Sequence, residues 1–205
     1  MLILSHKHTF SSLLNHFTPL QVYKYFITLS SILLILLTFF NKIYLMNKMV
    51  FNGKLIKVYS INNKDLVIHP GAVVIIPIIS KDKIILVKQY RFAIKKSTWE
   101  VPAGTLKPKE SPLKCAKREL EEETGYKAGR LLKLLTFYSS PGFLFEKMHL
   151  FLATNLTEGL QNFDEDENIK IKVFTLKEIE KMILKNKIID AKTIVSILFL
   201  KNFLK

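Results

Sequence analysis

Residues 104–126, which read GTLKPKESPLKCAKRELEEETGY, constrain this chain more than any other stretch. The chain has a formal net charge of +14, yet five of the fourteen residues from 110 to 123 are glutamates. Glu119, Glu122 and Glu123 stand three and four residues apart, so a helix would bring them onto one face with Cβ atoms about 5–6 Å apart. Three carboxylates held that close repel one another. A divalent cation such as Mg²⁺, which prefers oxygen ligands, would remove the repulsion.

The residues around these glutamates predict a helix over 111–124. Ser111 is a good N-cap, and Pro112 suits the first helical position. Gly125 stands where a left-handed residue commonly ends a helix. The apolar stripe expected to face the core consists of Leu113, Ala116 and Leu120. Before the helix, residues 102–104 (PAG) are expected to form a loop whose backbone can approach a ligand.

The same stretch resembles the Nudix box, a pattern of many fixed positions at fixed spacings. The residues that fill the pattern are Gly104, Glu110, Arg118, Glu119, Leu120, Glu122, Glu123, Gly125 and Tyr126. Tyr126 replaces the aliphatic residue that is more usual at the last position. The resemblance implies an α/β (α+β) fold, a Nudix-type mixed β-sheet sandwich flanked by helices. The alternative is an acidic, solvent-exposed helix that binds nothing.

Residues 1–48 differ from the rest of the chain, because they contain no Asp or Glu. Within them, residues 26–40 form an uncharged apolar run of fifteen residues, whereas a membrane-spanning helix needs about 20. Three interpretations stay open. The segment is a membrane anchor or targeting region, or it is sequence upstream of a true start at Met46 or Met49, or it is a buried helix. Contact with a membrane through residues 26–40 therefore stays open.

Residues 49–205 are expected to form one soluble Nudix hydrolase domain, preceded by the apolar, basic segment 1–48. The single cysteine, Cys115, excludes an internal disulfide and fits a reducing, cytoplasmic location. It is expected to be a small core residue and not a nucleophile. The lysines are spread along the chain and do not form blocks with aromatic residues, so nucleic-acid binding is not predicted.

Apolar runs and alternating patterns predict the other elements of this domain. The strand candidates are residues 54–60, 65–69, 71–79, 83–90, 130–138, 147–153 and 169–174. Helical spacing recurs over 176–185 and 190–203. Asn62 and Asn63 favour a turn, and the runs 71–79 and 83–90 predict a buried hairpin at the centre of the sheet.

A second concentration of negative charge lies in the loop 163–168 (FDEDEN). Hydrolysis of a diphosphate needs a water molecule that is positioned and deprotonated on one side of the phosphorus. A carboxylate from this loop could take the proton if the loop meets the box. An ordinary solvated surface loop is the alternative.

Other segments resemble the ADP-ribose pyrophosphatase branch of the Nudix family. They are residues 69–73 (HPGAV), 89–91 (QYR), 99–104 (WEVPAG), 140–143 (SPGF), the acidic loop and 190–193 (DAKT). This branch usually has a longer N-terminal sheet that exchanges with a second subunit. Here the part of the chain that resembles this branch begins at about Phe51, so only a short stretch separates it from His69 and Pro70. A homodimer, and an adenine site to which the partner contributes, therefore stay open expectations.

The resemblance assigns roles position by position. The implied metal-binding residues are Ala103, through its backbone carbonyl, with Glu119, Glu122, Glu123 and Glu167. The implied catalytic residues are Glu165 as the general base, Glu122, and Arg118, which orients the carboxylates through charge-assisted hydrogen bonds. The implied substrate-binding residues are Arg91 and, at the terminal ribose, Glu146.

The resemblance implies Mg²⁺-dependent hydrolysis of ADP-ribose or a related nucleoside diphosphate sugar, giving AMP and ribose 5-phosphate. Mn²⁺ is the expected substitute for Mg²⁺, and a small nucleotide is the expected partner. Two alternatives stay open. One is a non-catalytic module that binds ADP-ribose or another nucleotide, and the other is a hydrolase of a different nucleoside diphosphate-linked substrate.

Overall fold

The structure is a computed structural model that describes residues 18, 20, 27–28, 30–32, 47–159 and 170–203. The chain divides into two compact units, Met1–Met49 with Ser60–Lys64 and Val50–Tyr59 with Asp65–Lys205. In the first unit, residues 27–28 and 30–32 are helical. Asn62 and Asn63 form the predicted turn, with left-handed φ angles of 52° and 61°. Within the part of the chain that the structure describes, no helix has the length and apolar character needed to cross a membrane.

Among the described residues, ten strands and three α-helices have defined bounds. The strands are β1 (Asn47–Asn52), β2 (Lys57–Ile61), β3 (Lys64–Ile68), β4 (Ala72–Ser80), β5 (Lys83–Arg91), β6 (Lys96–Glu100), β7 (Ala103–Thr105), β8 (Tyr126–Ser140), β9 (Leu144–Glu158) and β10 (Lys170–Thr175). The helices are α1 (Pro112–Thr124), α2 (Leu176–Leu184) and α3 (Ala191–Phe203). A short 3₁₀ helix, Phe92–Ile94, connects β5 to β6.

The strands of the second unit form a mixed sheet in the order β3-β9-β4-β5-β10. Strand β9 runs parallel to both β3 and β4, while β5 runs antiparallel to β4 and β10. Three further strands pair antiparallel alongside this path: β6 with β5, β7 with β4, and β8 with β9. The predicted mixed sheet with flanking helices is therefore confirmed, as is the hairpin of β4 and β5.

Strand β4 separates two apolar cores, because successive side chains of a strand point to opposite faces. Val74 and Ile76 pack in one core with Ile179 of α2 and Ile197 of α3. The other core contains Val73, Ile75, Cys115, Ala116, Leu120, Phe151 and Ala153. Burial on both faces explains why β4 reads as a nearly continuous apolar run. The sandwich thus places α1 on one face of the sheet and α2 and α3 on the other.

Helix α1 begins and ends as its sequence predicts. The Ser111 hydroxyl accepts a hydrogen bond from the Lys114 N–H, and Gly125 ends the helix with a φ of 72°. The predicted apolar stripe is wrong at one position, since Leu113 is 46% exposed. Cys115 is fully buried and takes that place, which confirms it as a core residue.

The predicted loop at residues 102–104 is also corrected. Ala103–Thr105 is a strand, β7, in which Gly104 lies opposite Val73 of β4. The sequence shows no strand signal there, because three residues with Ala and Gly have little β propensity. Residues 103–105 form a strand because their backbone pairs with that of β4. Pairing along their whole length likewise makes β8 and β9 longer than the predicted 130–138 and 147–153.

Candidate active site

Arg118 on α1 joins three carboxylates of the box. Its Nε and Nη2 each donate a hydrogen bond of 2.9 Å to Glu110. Its Nη1 donates to Glu119 at 2.6 Å and to Glu122 at 2.8 Å. Hydrogen bonds between ionised groups are shorter and stronger than neutral ones, and a guanidinium can hold a carboxylate with two parallel bonds. The arginine therefore counters the repulsion between Glu119 and Glu122, which share its Nη1.

Glu110 fixes the other edge of the Arg118 guanidinium. The bonds from Arg118 lower the pKa of Glu110 to about 2, and the Lys107 N–H also favours the ionised form. In turn, Glu110 is the main reason why the pKa of Arg118 is raised above its usual value. Only 13% of the Glu110 side chain is exposed. Glu110 is thus an ionised partner that sets the direction in which Arg118 presents Nη1.

Gly104 provides the space that Glu119 occupies. Strand β7 passes under α1, and a Cβ atom on residue 104 would collide with the carboxyl group of Glu119. The backbone of Gly104 is not in the left-handed region, so the need for glycine at this position is steric. The first glycine of the box therefore serves the close approach of β7 and α1.

Glu123 connects α1 to the residue that precedes this glycine. Its Oε2 accepts a hydrogen bond of 3.1 Å from the Ala103 N–H, and the residue is only 4% exposed. Burying a carboxylate is costly unless it is hydrogen-bonded, so this contact fixes the helix against the strand. Four of the five predicted metal-binding residues, namely Ala103, Glu119, Glu122 and Glu123, consequently lie on two adjoining elements.

The carboxylates of Glu119 and Glu122 face Arg118, and that of Glu123 faces the Ala103 N–H. Among the described residues, no three or more His, Cys, Asp or Glu side chains already stand as close as a bound metal ion requires. The predicted metal-binding groups on α1 and β7 are all oxygens, which fits a hard cation. Mg²⁺ is usually held by one or two carboxylates together with substrate phosphates and water, so the donor set fits Mg²⁺.

Arg91, at the end of β5, is held by a carboxylate that sequence analysis does not place among the site residues. Glu100 of β6 accepts hydrogen bonds from Arg91 Nε at 2.8 Å and from Nη2 at 2.6 Å. These bonds raise the pKa of Arg91, burial opposes the rise, and the negative charges of Asp190 and Glu123 add to it. Because Glu100 takes the Nε and Nη2 edge, Nη1 faces away from it. Arg91 is 40% exposed and is therefore accessible to a ligand.

Glu100 belongs to a larger polar network, the Glu100 network, formed by Arg91, Glu100, Asp190, Lys192 and Thr193. The Lys192 ammonium contacts Glu100 Oε2 and lies 2.9 Å from Asp190 Oδ1. Asp190 Oδ2 accepts from the Thr193 N–H at 2.9 Å and from its hydroxyl at 2.6 Å. The segments QYR, WEVPAG and DAKT carry these residues in the sequence, but nothing local indicates that the three segments meet.

Glu146 lies on β9, beside His69. Its carboxyl oxygen is 3.7 Å from Nδ1 of His69, a distance beyond hydrogen bonding. That nitrogen accepts the Gly71 N–H at 3.1 Å, so it has no proton to donate to Glu146. The Gly71 carbonyl accepts from the Leu106 N–H, in the loop that follows β7. The structure thus places Glu146 beside His69, just before β4, and the loop before α1 hydrogen-bonds to Gly71, two residues after His69.

Glu165 and Glu167 lie outside the described residues. The residues on either side of the acidic loop have defined contacts. The Gly159 N–H donates to the Gly125 carbonyl at the end of α1 at 2.6 Å. Lys170, the first residue of β10, lies opposite Lys88 of β5.

Comparison with known proteins identifies the family of this chain. The model of the NUDIX domain family matches residues 68–195. An ADP-ribose pyrophosphatase of Bacillus subtilis (strain 168) is 39% identical over 163 residues, which cover 74% of this chain and 88% of that protein. A methanol dehydrogenase activator of Bacillus methanolicus is 37% identical over the same lengths. A crystal structure of an ADP compounds hydrolase covers 77% of this chain and 91% of its own, with a TM-score of 0.66 at 22% identity, and it supports the fold.

The chain belongs to the Nudix family. This membership confirms the expectation of a Nudix hydrolase that acts on diphosphates. Within the family, the Bacillus subtilis relative confirms the resemblance to the ADP-ribose pyrophosphatase branch.

Proposed function

We propose that this protein hydrolyses the diphosphate bridge of ADP-ribose, or of a related nucleoside diphosphate sugar, with Mg²⁺ as the cofactor. The observation that carries the proposal is the set of box carboxylates gathered around Arg118, beside β7. The 39% identity to a pyrophosphatase that acts on ADP-ribose favours this substrate among the diphosphates. Mn²⁺ is the proposed substitute for Mg²⁺, since it also prefers oxygen ligands.

The proposed metal-binding residues are Glu119, Glu122, Glu123, Glu167 and the carbonyl of Ala103. Bound Mg²⁺ would neutralise the charge that develops on the phosphate oxygens. Arg118 keeps Glu119 and Glu122 oriented from the side of the helix, and Glu110 keeps Arg118 in place. The repulsion between the carboxylates is thereby reduced before any ligand binds.

Arg91 is the proposed contact to the diphosphate. Its Nη1 faces away from Glu100, and its charge is close enough to Glu123 for that carboxylate to raise the pKa of Arg91. A guanidinium oriented in this way suits the oxygens of a phosphate. Glu146, beside His69, is the proposed contact to the terminal ribose, which a carboxylate can bind by accepting hydrogen bonds from its hydroxyls.

Glu165 is the proposed general base. The acidic loop lies in the sequence between Gly159, which contacts the end of α1, and Lys170, which pairs with the strand that leads to Arg91. Both of these flanking residues therefore contact elements that carry proposed site residues. Glu165 would take a proton from water as the water oxygen bonds to one phosphorus. The bond from that phosphorus to the bridging oxygen breaks, and AMP and ribose 5-phosphate leave.

A screen of nucleoside diphosphate sugars and dinucleotides with Mg²⁺ tests the substrate. We expect ADP-ribose to give the highest kcat/KM, with AMP and ribose 5-phosphate as products by chromatography. Faster hydrolysis of another diphosphate would make that compound the assigned substrate. Binding of ADP-ribose without formation of products would favour a non-catalytic binding module.

The variant Glu165→Gln tests the general base. Its hydrolysis rate should fall, and the acidic limb of the pH–rate profile should disappear. An unchanged rate and profile would reassign that role.

We propose residues 49–205 as the catalytic domain and leave the role of residues 1–48 to experiment. A chain that starts at Met49 should keep the kcat/KM of the full chain. Fractionation of both chains with membranes tests whether residues 1–48 are a membrane anchor. Light scattering tests whether the protein is a homodimer, which we include in the proposal. Loss of activity in the shorter chain would show that the N-terminal segment contributes to the domain.

A further inference from the structure

We propose that Glu100 and Lys192 are positioning residues that aim Arg91 at the diphosphate and hold the backbone that leads into β7. The inference rests on the proposed function, because it requires Arg91 to contact the substrate. It adds residues from β6 and from the start of α3, which lie outside the box and share no local pattern with it.

The burial of Glu100 is the first argument. Only 1% of its side chain is exposed, and both of its oxygens are engaged, Oε1 by Arg91 and Oε2 by Arg91 and Lys192. A buried ion pair contributes little net stability, since the cost of desolvating both charges offsets their attraction. Stability is therefore a weak reason for placing a carboxylate here, whereas fixing a partly exposed arginine is a specific one.

The charge balance of the network is the second argument. Arg91 and Lys192 carry two positive charges, and Glu100 and Asp190 carry two negative charges. Without Lys192, the two negative charges of Glu100 and Asp190 would outweigh the single positive charge of Arg91. Lys192, which is 11% exposed, therefore preserves the positive potential that Arg91 presents to an anionic ligand.

The backbone contacts are the third argument. The Val101 N–H donates a 3.0 Å hydrogen bond to the Thr193 hydroxyl, which in turn donates to Asp190. The start of α3 thus holds two consecutive residues, Glu100 and Val101. The next carbonyl, that of Pro102, accepts from the Ile75 N–H of β4 at 2.8 Å. Ala103 and Gly104 follow directly, so one network sets both Arg91 and the strand beneath the box carboxylates.

The functional consequence is preorganisation. A free arginine side chain samples many rotamers, and ordering it on binding costs affinity. The two parallel bonds to Glu100 restrict the guanidinium before substrate arrives. Removing the charge of Glu100 or Lys192 should therefore weaken diphosphate binding more than it slows the chemical step.

The test is a double-mutant cycle on kcat and KM for ADP-ribose at saturating Mg²⁺. We expect Glu100→Gln to raise KM on the order of tenfold while kcat changes only a few fold. In a protein that already carries Arg91→Ala, the same substitution should raise KM little further. Lys192→Met should raise KM similarly, and Lys192→Arg should restore it. Lys201→Met is the matched control, because Lys201 lies on the same helix, is 46% exposed and pairs with Glu180 outside the Glu100 network. An equal KM increase with and without Arg91, or no increase in the folded variants, would overturn the inference.

A second measurement does not depend on turnover. The Nε–H resonance of Arg91 in a ¹H–¹⁵N spectrum reports the bond to Glu100 directly. We expect it to shift and to exchange faster with solvent in Glu100→Gln and in Lys192→Met, even if ADP-ribose is not the substrate. An unchanged resonance in both variants would overturn the positioning role and leave the proposed function intact. A changed resonance with no hydrolysis of any diphosphate would refute only the proposed function.

Discussion

The carboxyl group of Glu119 lies in the space that a Cβ atom on residue 104 would fill. The two residues come from different elements, β7 and α1, and their approach is possible because residue 104 is glycine. The same carboxyl group accepts a hydrogen bond from Arg118. The position of one glycine therefore determines where a proposed metal ligand stands.

Gly104→Ala should displace Glu119 and lower kcat/KM on the order of 10²-fold, the scale of losing one key electrostatic contact. The melting temperature should change by only a few degrees, because the backbone conformation of residue 104 suits alanine. Gly142→Ala is the control, since a Cβ atom there meets nothing within 4 Å. Activity of Gly104→Ala equal to that of the control would mean that the position of Glu119 does not matter for turnover.

Glu123→Gln should lower kcat by a factor on the order of 10²–10³. A glutamine oxygen can still accept the Ala103 N–H, so the fold should survive while the charge is lost. Glu121→Gln is a matched control on the same turn of α1, because Glu121 pairs with Lys127 at 3.1 Å. Steady-state kinetics with Mg²⁺ compare the two. Equal activities would remove Glu123 from the set of proposed metal ligands.

The pairing of Glu110 with Arg118 should make stability depend on acid pH. The pKa of Glu110 is lowered to about 2 in the folded state, so the unfolded chain binds its proton at higher pH than the folded chain does. The stability that this carboxylate contributes is therefore present above about pH 4.5 and is lost as the pH falls toward 2. Urea unfolding in EDTA should show wild type more stable than Glu110→Gln at pH 7. A difference that stays constant from pH 7 to pH 2 would contradict the lowered pKa.

The Cys115 thiol should be unreactive in the folded protein. Burial, with the negative charges of Glu119 and Glu110, raises its pKa to about 12, and the side chain is fully buried. The thiolate is the reactive form, so very little of it is present at pH 8. Labelling by iodoacetamide should be slow in buffer and rapid in denaturant, as measured by mass spectrometry. Labelling of the native protein at the rate of a free thiol would show that the core around α1 opens readily.

Local signals were sufficient for the elements that carry the box. Ser111 and Gly125 mark the two ends of α1, and Asn62 with Asn63 marks a turn, because capping and turn chemistry involve residues only a few positions apart. The exposed Leu113 shows the limit of the same reasoning. The spacing of apolar residues identifies a candidate buried face of the helix, but the elements packed against the helix determine which of those residues are buried.

The sequence by itself determined the family, the box helix and the glutamates that this helix carries, since all of these depend on residue types at short, fixed spacings. Only the tertiary structure decided that Arg118 is shared among Glu110, Glu119 and Glu122, that residues 103–105 form a strand, and that Lys192 meets Glu100. The last two residues stand 92 positions apart in the chain. Their contact follows from the order of the strands and the placement of α3, and no local pattern encodes a distance between segments so far apart.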